Sequence, residues 1–320
     1  MPFLLCFRLY IYEEQNEIQI ICCFLIFCVF NSCSENTLKA ESISICNWNV
    51  QTFFDANKTG TEYSEFLKNE NWNSTAYEAR LKRLCNCIKL LDADVFVLEE
   101  IENEGILYDI ANALAGYSWN QKKNWTYACF AKCKDQAIGC AVLSRFELKD
   151  FSVHELYVQT EKEAQPMLRP IIKVTVCKGQ KDLELFVNHW KSKSGGEEET
   201  QVWRNWQETQ LMSLLEQTCS PFLCSGDFNQ KTEEFSYLTD FTFSPWIIDN
   251  DIYRSQGTYY YNGAFEQIDH FFADKNLQIT QFEPATNGPW CNENNIPISF
   301  KIYSGSGYSD HLPIKCKVDF

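Results

Sequence analysis

Residues 223–230 read LCSGDFNQ: a strand-like run at 221–226 stops, and Asp227 and Asn229 follow at once. Taken alone, Asp-Phe-Asn is a turn. Polar groups at the mouth of a buried strand are unfavourable unless they are solvated, paired or functional, so the question is whether other strands end alike. Five do: CNWNVQ at 46–51 with Asn49, VLEEIENEG at 97–105 with Glu100, FVNHWKSK at 186–193 with His189, EQIDHFFAD at 266–274 with Asp269, and YSDHLPI at 308–314 with Asp310 and His311. Strand ends that face one side of a pair of sheets can converge on one place.

The intervening sequence supports sheets with a few helices between them. Strand-like runs fall at 43–50, 93–100, 125–130, 137–143, 147–156, 168–178, 183–189, 221–226, 266–274, 277–284 and 312–320. A helix starts near Asn73 or Ser74, with Tyr77, Leu81, Leu84, Ile88 and Leu91 along one face. A second is expected over 105–116, closed by Gly116, and a third over 200–217, with Trp206, Leu211, Leu214 and Leu215 as buried candidates. The fold class expected is α+β: a four-layer α/β-sandwich of two packed, mainly antiparallel β-sheets flanked by helices. A doubly wound dinucleotide fold is excluded, because the first strand lacks a glycine-rich turn. No repeat, low-complexity segment or internal linker interrupts 43–320, which reads as a single domain.

Composition bounds the function. The chain has 320 residues, 45% of them hydrophobic, and a formal net charge of −15. Its overall field repels polyanions, so a protein that coats nucleic acid is disfavoured, whereas an enzyme with a local cationic patch and a divalent ion is not. The sixteen cysteines are scattered without CxxC units, and no disulfide pattern or zinc motif is read from them. Cys316 alternates with Lys315 and Lys317 and belongs on the apolar face of a strand. Residues 18–30, IQIICCFLIFCVF, have the length of a signal h-region, and Cys33 follows a small residue as the lipidated cysteine of a bacterial lipoprotein does. Residues 1–33 are therefore expected to be an export segment with a lipid anchor at Cys33, 34–42 a short linker, and the location extracytoplasmic.

In their order, the six strand-end clusters resemble the endonuclease/exonuclease/phosphatase superfamily, the DNase I-like fold, over about 43–320. SGDFN and SDHLPI carry the resemblance most specifically. It implies a Mg²⁺ ion, with Mn²⁺ or Ca²⁺ as alternatives, held by Glu100 with Asn49 and Asp310 nearby. It implies that Asp227 and Asn229 orient the attacking water and hold a phosphate oxygen. His311, polarised by Asp269, would be general base or phosphate contact, and His189 would face it across the phosphate as acid or oxyanion stabiliser; the sequence leaves open which histidine does which. Arg169, in PMLRPII, matches a family arginine near the scissile phosphate. Many members have Gln where this chain has Glu99, a carboxylate expected either on the sheet's other face or at a second cation site. His154 is expected to be structural, and His270 to face away from Asp269.

VLEEIENEG, VNHWKSKSGG and GTYYYNGAFEQIDHFF look like segments of secreted bacterial nucleases. Lys191 and Lys193 would then meet backbone phosphates, with Arg145, Arg204, Lys122 and Lys123 extending the patch. A monomeric nuclease acting on DNA, or on RNA, is the function implied. Two alternatives remain: a phosphodiesterase for lipid or small-molecule phosphates of the sphingomyelinase kind, with Trp246, Tyr259, Tyr260, Tyr261 and Trp290 toward lipid, and a non-catalytic surface-binding protein.

Overall fold

The computed structural model describes residues 8–10, 41–115, 124–156, 166–248 and 256–319. A seven-stranded sheet contains β1 (Arg8–Tyr10), β2 (Ser42–Phe53), β3 (Val95–Ile101), β4 (Tyr127–Ala131), β5 (Gly139–Ser144), β13 (Gln278–Pro284) and β14 (Ile314–Asp319), in the spatial order β1-β4-β5-β3-β2-β14-β13. A five-stranded sheet contains β6 (Glu147–His154), β7 (Ile171–Lys178), β8 (Lys181–His189), β9 (Phe222–Asp227) and β12 (Asp269–Ala273), in the order β12-β9-β8-β7-β6. Most neighbours are antiparallel; β1 with β4, β2 with β3, and β8 with β9 are parallel.

The helices are one-turn α1 (Ser64–Leu67), α2 (Ser74–Leu91), α3 (Glu104–Leu114) and α4 (Glu197–Leu215), with one-turn pieces at Leu238–Phe241 and Pro245–Ile248. Asn73 starts α2 by accepting from the Thr75 and Ala76 amides, and Asp92 ends it in the left-handed region. The α2 face read from the sequence is buried at Tyr77, Leu84, Ile88 and Leu91. Alternation along the strands sorts the core into three. Ile45, Val97, Val142, Val174, Leu185, Leu223 and Phe271 meet between the sheets. Phe96, Leu98 and Leu143 face α2 and α3, while Phe186, Cys224 and Phe272 face α4. The expected four-layer sandwich is the one observed. Each large side chain buried between the layers contributes about 1.5–3 kcal/mol.

Element ends shift for local reasons. Pro170 has no amide hydrogen for a ladder, and β7 begins at the next residue. The run at 266–274 divides in two: its first residue closes a separate hairpin, β10 (Tyr259–Tyr261) with β11 (Ala264–Glu266), and β12 starts at Asp269. The turn between β10 and β11 is Asn262-Gly263, both at positive φ (48° and 86°), as a two-residue hairpin turn requires.

The described cysteines, Cys316 among them, are free thiols. Among the described residues no helix is long and apolar enough to cross a membrane. Apart from Arg8–Tyr10, the segment read as an export signal, including Cys33, lies outside the described residues, as do Lys122, Lys123 and Gly116.

Candidate active site

Strand direction gathers the site. The parallel pairs β2/β3 and β8/β9 each present two carboxyl-terminal ends at the same edge, bearing Asn49 and Glu100 in one sheet and His189 and Asp227 in the other. The antiparallel strands β14 and β12 begin where their neighbours end, which brings Asp310 and His311 (just before β14) and Asp269 to that edge. Register completes the row: Asp269 pairs with Asp227, and Asp227 with His189. All three lie on the inter-sheet face, because register partners point the same way.

Glu100 reaches the row through a backbone irregularity. Simple alternation would put it with Leu98 on the helix-facing side. Instead Glu100 sits at φ 66°, where the β3–β5 register slips, and this bulge re-aims its side chain. Such a conformation costs about 1–2 kcal/mol in a non-glycine residue. The carboxylate then accepts from the Asn49 Nδ2 at 3.2 Å and from the Thr52 amide at 2.5 Å. Asn49 Nδ2 also reaches Asp227 Oδ2 at 3.1 Å, while its Oδ1 accepts from the Gln51 amide. A backbone N–H needs an acceptor, so the Asn49 oxygen is committed and its nitrogen faces the carboxylates. Asn49 thus donates to the cluster; its oxygen is turned away from the place where the resemblance had it as a ligand.

Asp227 and Asp269 hold the two histidines. His311 Nδ1 pairs with Asp269 Oδ2 at 2.8 Å, and His311 Nε2 lies 3.9 Å from Asp227 Oδ2. Burial by itself would lower the His311 imidazole, but Asp269, then Asp227 and Asp310, outweigh it and hold it well above its usual value. His189 lies opposite, with Nε2 3.6 Å from Asp227 Oδ2 and 3.9 Å from Glu100 Oε1. Burial, with Arg169 and His311 adding to it, keeps it well below the usual value and hence neutral. Burial raises the Asp227 carboxyl, against the pull of His311. Ser309 ties the two sequence motifs together: its hydroxyl donates to the Asn49 carbonyl at 2.6 Å and accepts from the His311 amide at 3.0 Å.

Glu99 is fully buried on the inter-sheet face, and among the described residues neither carboxyl oxygen has a hydrogen-bond partner. It therefore faces the inter-sheet core behind the site, and does not lie on the sheet's other face, which was one of the two expectations. Burial, then Asp269 and Asp227, raise its carboxyl well above the usual 4.5. A group of this kind binds its proton more tightly folded than unfolded, so its contribution to stability is complete below the unfolded value and drains as pH rises toward the folded one. Glu99→Gln stays neutral throughout. It is expected to melt higher than the wild type near about pH 8 without divalent metal, the gain shrinking toward about pH 4; thermal melts across that range check this.

A cleft of about 640 Å³ opens over the row. Of the residues read from the sequence, Asn49, Glu100, Arg169, His189, Lys193, Asp227, Asn229, Asp310 and His311 line it, and Asp269 sits behind His311. Asn229, left-handed at φ 50°, closes an Asx turn by donating its amide to Asp227 Oδ1. Arg169 donates to the Trp190 carbonyl at 3.0 Å. The lysines differ from expectation. Lys191 turns its ammonium onto the Ser192 and Ser194 carbonyls and does not line the cleft. Lys193 lines it but is enclosed by Glu197, Glu234 and Glu266 at 2.6, 3.4 and 3.9 Å. Arg204 is fully buried under the same loop, and Arg145 is paired with Asp92 and Asp94, so neither extends a cationic patch. His270 packs among Phe228, Phe235 and Phe272 on the far face, as expected, and His154 contacts Ser152 on β6, away from the cleft.

Sequence reading did not place Tyr63, Glu197 and Glu266 at the cleft, and it gave Tyr259 and Tyr261 a substrate-facing place only in the lipid alternative; all five line it. Tyr259 and Tyr261 share one face of the hairpin with Glu266, and the Asn-Gly turn was the signal for it. Tyr63 stands in a loop without periodic context.

The donor set suits a hard divalent cation. Glu100, Asp227 and Asp310 share the cleft, and Asp227, Asp269 and His311 offer ligand atoms within 4.8 Å of one another. Glu100 and Asp227 both accept from one neutral amide nitrogen, and among the described residues no lysine or arginine forms an ion pair with either. Glu100, with Asp310 and Asp227, would hold the ion. When bound, it supplies Lewis-acid polarisation of a phosphate oxygen and a more acidic water. The chain's own groups would then divide the proton work. Asp227 and the His311–Asp269 pair would stand on one side as acceptor and orienter, and neutral His189 on the other as hydrogen-bond donor.

Hydrolases of phosphate esters are the class in which such sheets and such a donor set occur together. The chain belongs to the endonuclease/exonuclease/phosphatase family, whose model matches residues 44–239. Curated proteins gave no match. Among solved structures, truncated Caenorhabditis elegans TDP2 is 16% identical with a TM-score of 0.57, covering 87% of this chain and 97% of that one. A Bacteroides thetaiotaomicron family protein is 16% identical with a TM-score of 0.55, covering 88% and 99%. Danio rerio TDP2, complexed with single strand DNA product, is 14% identical with a TM-score of 0.56, covering 87% and 99%. At these identities the likeness concerns the fold.

Proposed function

We propose that the protein is a Mg²⁺-dependent nuclease that hydrolyses phosphodiester bonds of DNA with little sequence preference, outside the cytoplasm. One observation carries the reading: a single cleft brings together the Glu100–Asp227–Asp310 carboxylates, the two buried imidazoles, Arg169 and the rings of Tyr63, Tyr259 and Tyr261. Tyrosine faces stack on any base, which suits a substrate recognised without base-edge readout. The likeness to a TDP2 that holds a DNA product supports the same choice. The apolar run at 18–30 supports the location, which cell fractionation tests.

The enclosure of Lys193 by three glutamates favours a second reading, a phosphodiesterase for lipid or small-molecule phosphates. Such a substrate needs no run of cations along a backbone. Purified protein should be incubated with plasmid DNA, RNA and sphingomyelin, each with Mg²⁺ and with chelator. Chelator-sensitive DNA cleavage is the expected result, and hydrolysis of the lipid alone would overturn the nuclease reading.

A further inference from the structure

Behind the site, α2 contributes a residue that none of the motifs contains. Arg80 is 3% exposed and projects under the turn that follows Asn49. Its Nη1 donates to the Thr52 carbonyl at 2.9 Å, and its Nη2 donates to the Val50 carbonyl at 3.1 Å and to the Gln51 carbonyl. The guanidinium lies 3.5 Å from the ring centroid of Phe300 and 4.6 Å from that of Phe53. The turn it grips is unusual: Gln51 and Thr52 are consecutive left-handed residues, at φ 54° and 46°, and neither is glycine. Left-handed pairs are disfavoured for side chains with a Cβ and persist only when their surroundings over-determine them. Three carbonyls on one planar fork supply that constraint. A fourth tie comes from the Phe300 amide, which donates to Gln51 Oε1 at 2.7 Å.

This conformation turns two amides toward the site. The Gln51 N–H takes the Asn49 oxygen, and the Thr52 N–H takes Glu100 Oε2. We infer that Arg80 is a positioning residue for divalent-cation binding: by fixing the left-handed 51–52 turn it sets the orientation of the Glu100 carboxylate and of the Asn49 amide beside it. The inference rests on the reading of Glu100 as a cation ligand. Arg80 does not reach the cleft; it acts through the turn.

The test is Mn²⁺ binding to the full chain by calorimetry and by electron paramagnetic resonance, with melting in chelator as the measure of fold. Arg80→Lys keeps the charge and loses the fork, and should weaken Mn²⁺ binding by about tenfold or more, the usual effect of losing the support of a metal ligand. Gln51→Ala leaves Arg80 and its packing in place, removes the tie to Phe300, and should weaken binding in the same direction. Leu211→Ala, a core truncation in α4, should lower the melting temperature without changing affinity. Adding Thr52→Gly to R80K should recover part of the loss, because glycine adopts the left-handed backbone freely.

Wild-type affinity in folded R80K and in Q51A would overturn the inference, as would a loss of the same size in L211A or the absence of recovery with T52G. Should R80K fail to fold, the Q51A titration decides alone. If the wild type itself binds no Mn²⁺, the cation reading of Glu100 fails first, and that outcome is distinct from equal affinities in all variants.

Discussion

Replacing His311 by alanine is expected to lower kcat/KM on plasmid DNA by about a thousandfold, the middle of the range for loss of a general acid–base group, with the fold intact. His311 is buried at the cleft edge, and its Nδ1 is engaged by Asp269 at 2.8 Å, which leaves Nε2 facing Asp227 and the cleft. Asp269→Asn should give a loss of similar order with little change in structure. An amide at this position donates where the carboxylate accepts, so it favours the wrong imidazole tautomer. The double variant should lose little more than either single one, since the two residues act as a unit. Melting curves that match the wild type, alongside rates near the wild-type value, would remove His311 from the site.

Glu100→Gln is expected to reduce Mg²⁺-supported turnover by about a thousandfold, which corresponds to removing several kcal/mol of metal-derived stabilisation, and chelation of the wild type should do the same. Gln keeps the size of the side chain and one acceptor oxygen, so the hydrogen bond from the Thr52 amide survives, while the charge and the acceptor for Asn49 Nδ2 are lost. Raising the Mg²⁺ concentration should recover part of the activity. Asp227→Ala should be equally damaging at any Mg²⁺ concentration, because this carboxylate also contacts Asn49, Asn229 and the two imidazoles. Saturation behaviour therefore separates Glu100, which would act through the ion alone, from Asp227, which would also handle the proton. If E100Q and D227A respond alike to added Mg²⁺, the division of roles given above is wrong.

Much of the site was legible because its residues stand at strand ends, where an apolar run gives way abruptly to Asp, Asn, Glu or His. Asn49, Glu100, His189, Asp227 and His311 were all found that way. Sequence alternation could not settle Glu99 against Glu100. The assignment depends on a bulge that reverses which of the two faces the cleft, and a bulge leaves no signature in a run such as VLEEI. The surroundings of Lys193 were not legible for a different reason. The carboxylates that enclose Lys193 come from α4, from the loop after β9 and from β11, three segments far apart in sequence. Arg80 did leave a trace. It lies between Tyr77 and Leu84 on the buried face of α2, where a lone cation is unexpected unless something buried binds it. The Tyr259–Tyr261 hairpin was announced by Asn262-Gly263, a local turn signal that is easily absorbed into a longer strand assignment.

The place of β14 has a consequence for when the protein can be active. This strand lies inside the seven-stranded sheet, between β2 and β13, and His311 immediately precedes it. The indole of Trp48, at the start of the site, bonds to the His311 carbonyl 263 residues later. A ribosome-bound chain that has emerged through β12 holds Asn49, Glu100, His189, Asp227 and Asp269 but lacks the imidazole that completes them, and its larger sheet still lacks both β14 and β13, so that β2 is its edge. Contacts of such long sequence separation also form late. The candidate site is thus incomplete until the segment carrying His311 has joined β2 through β14.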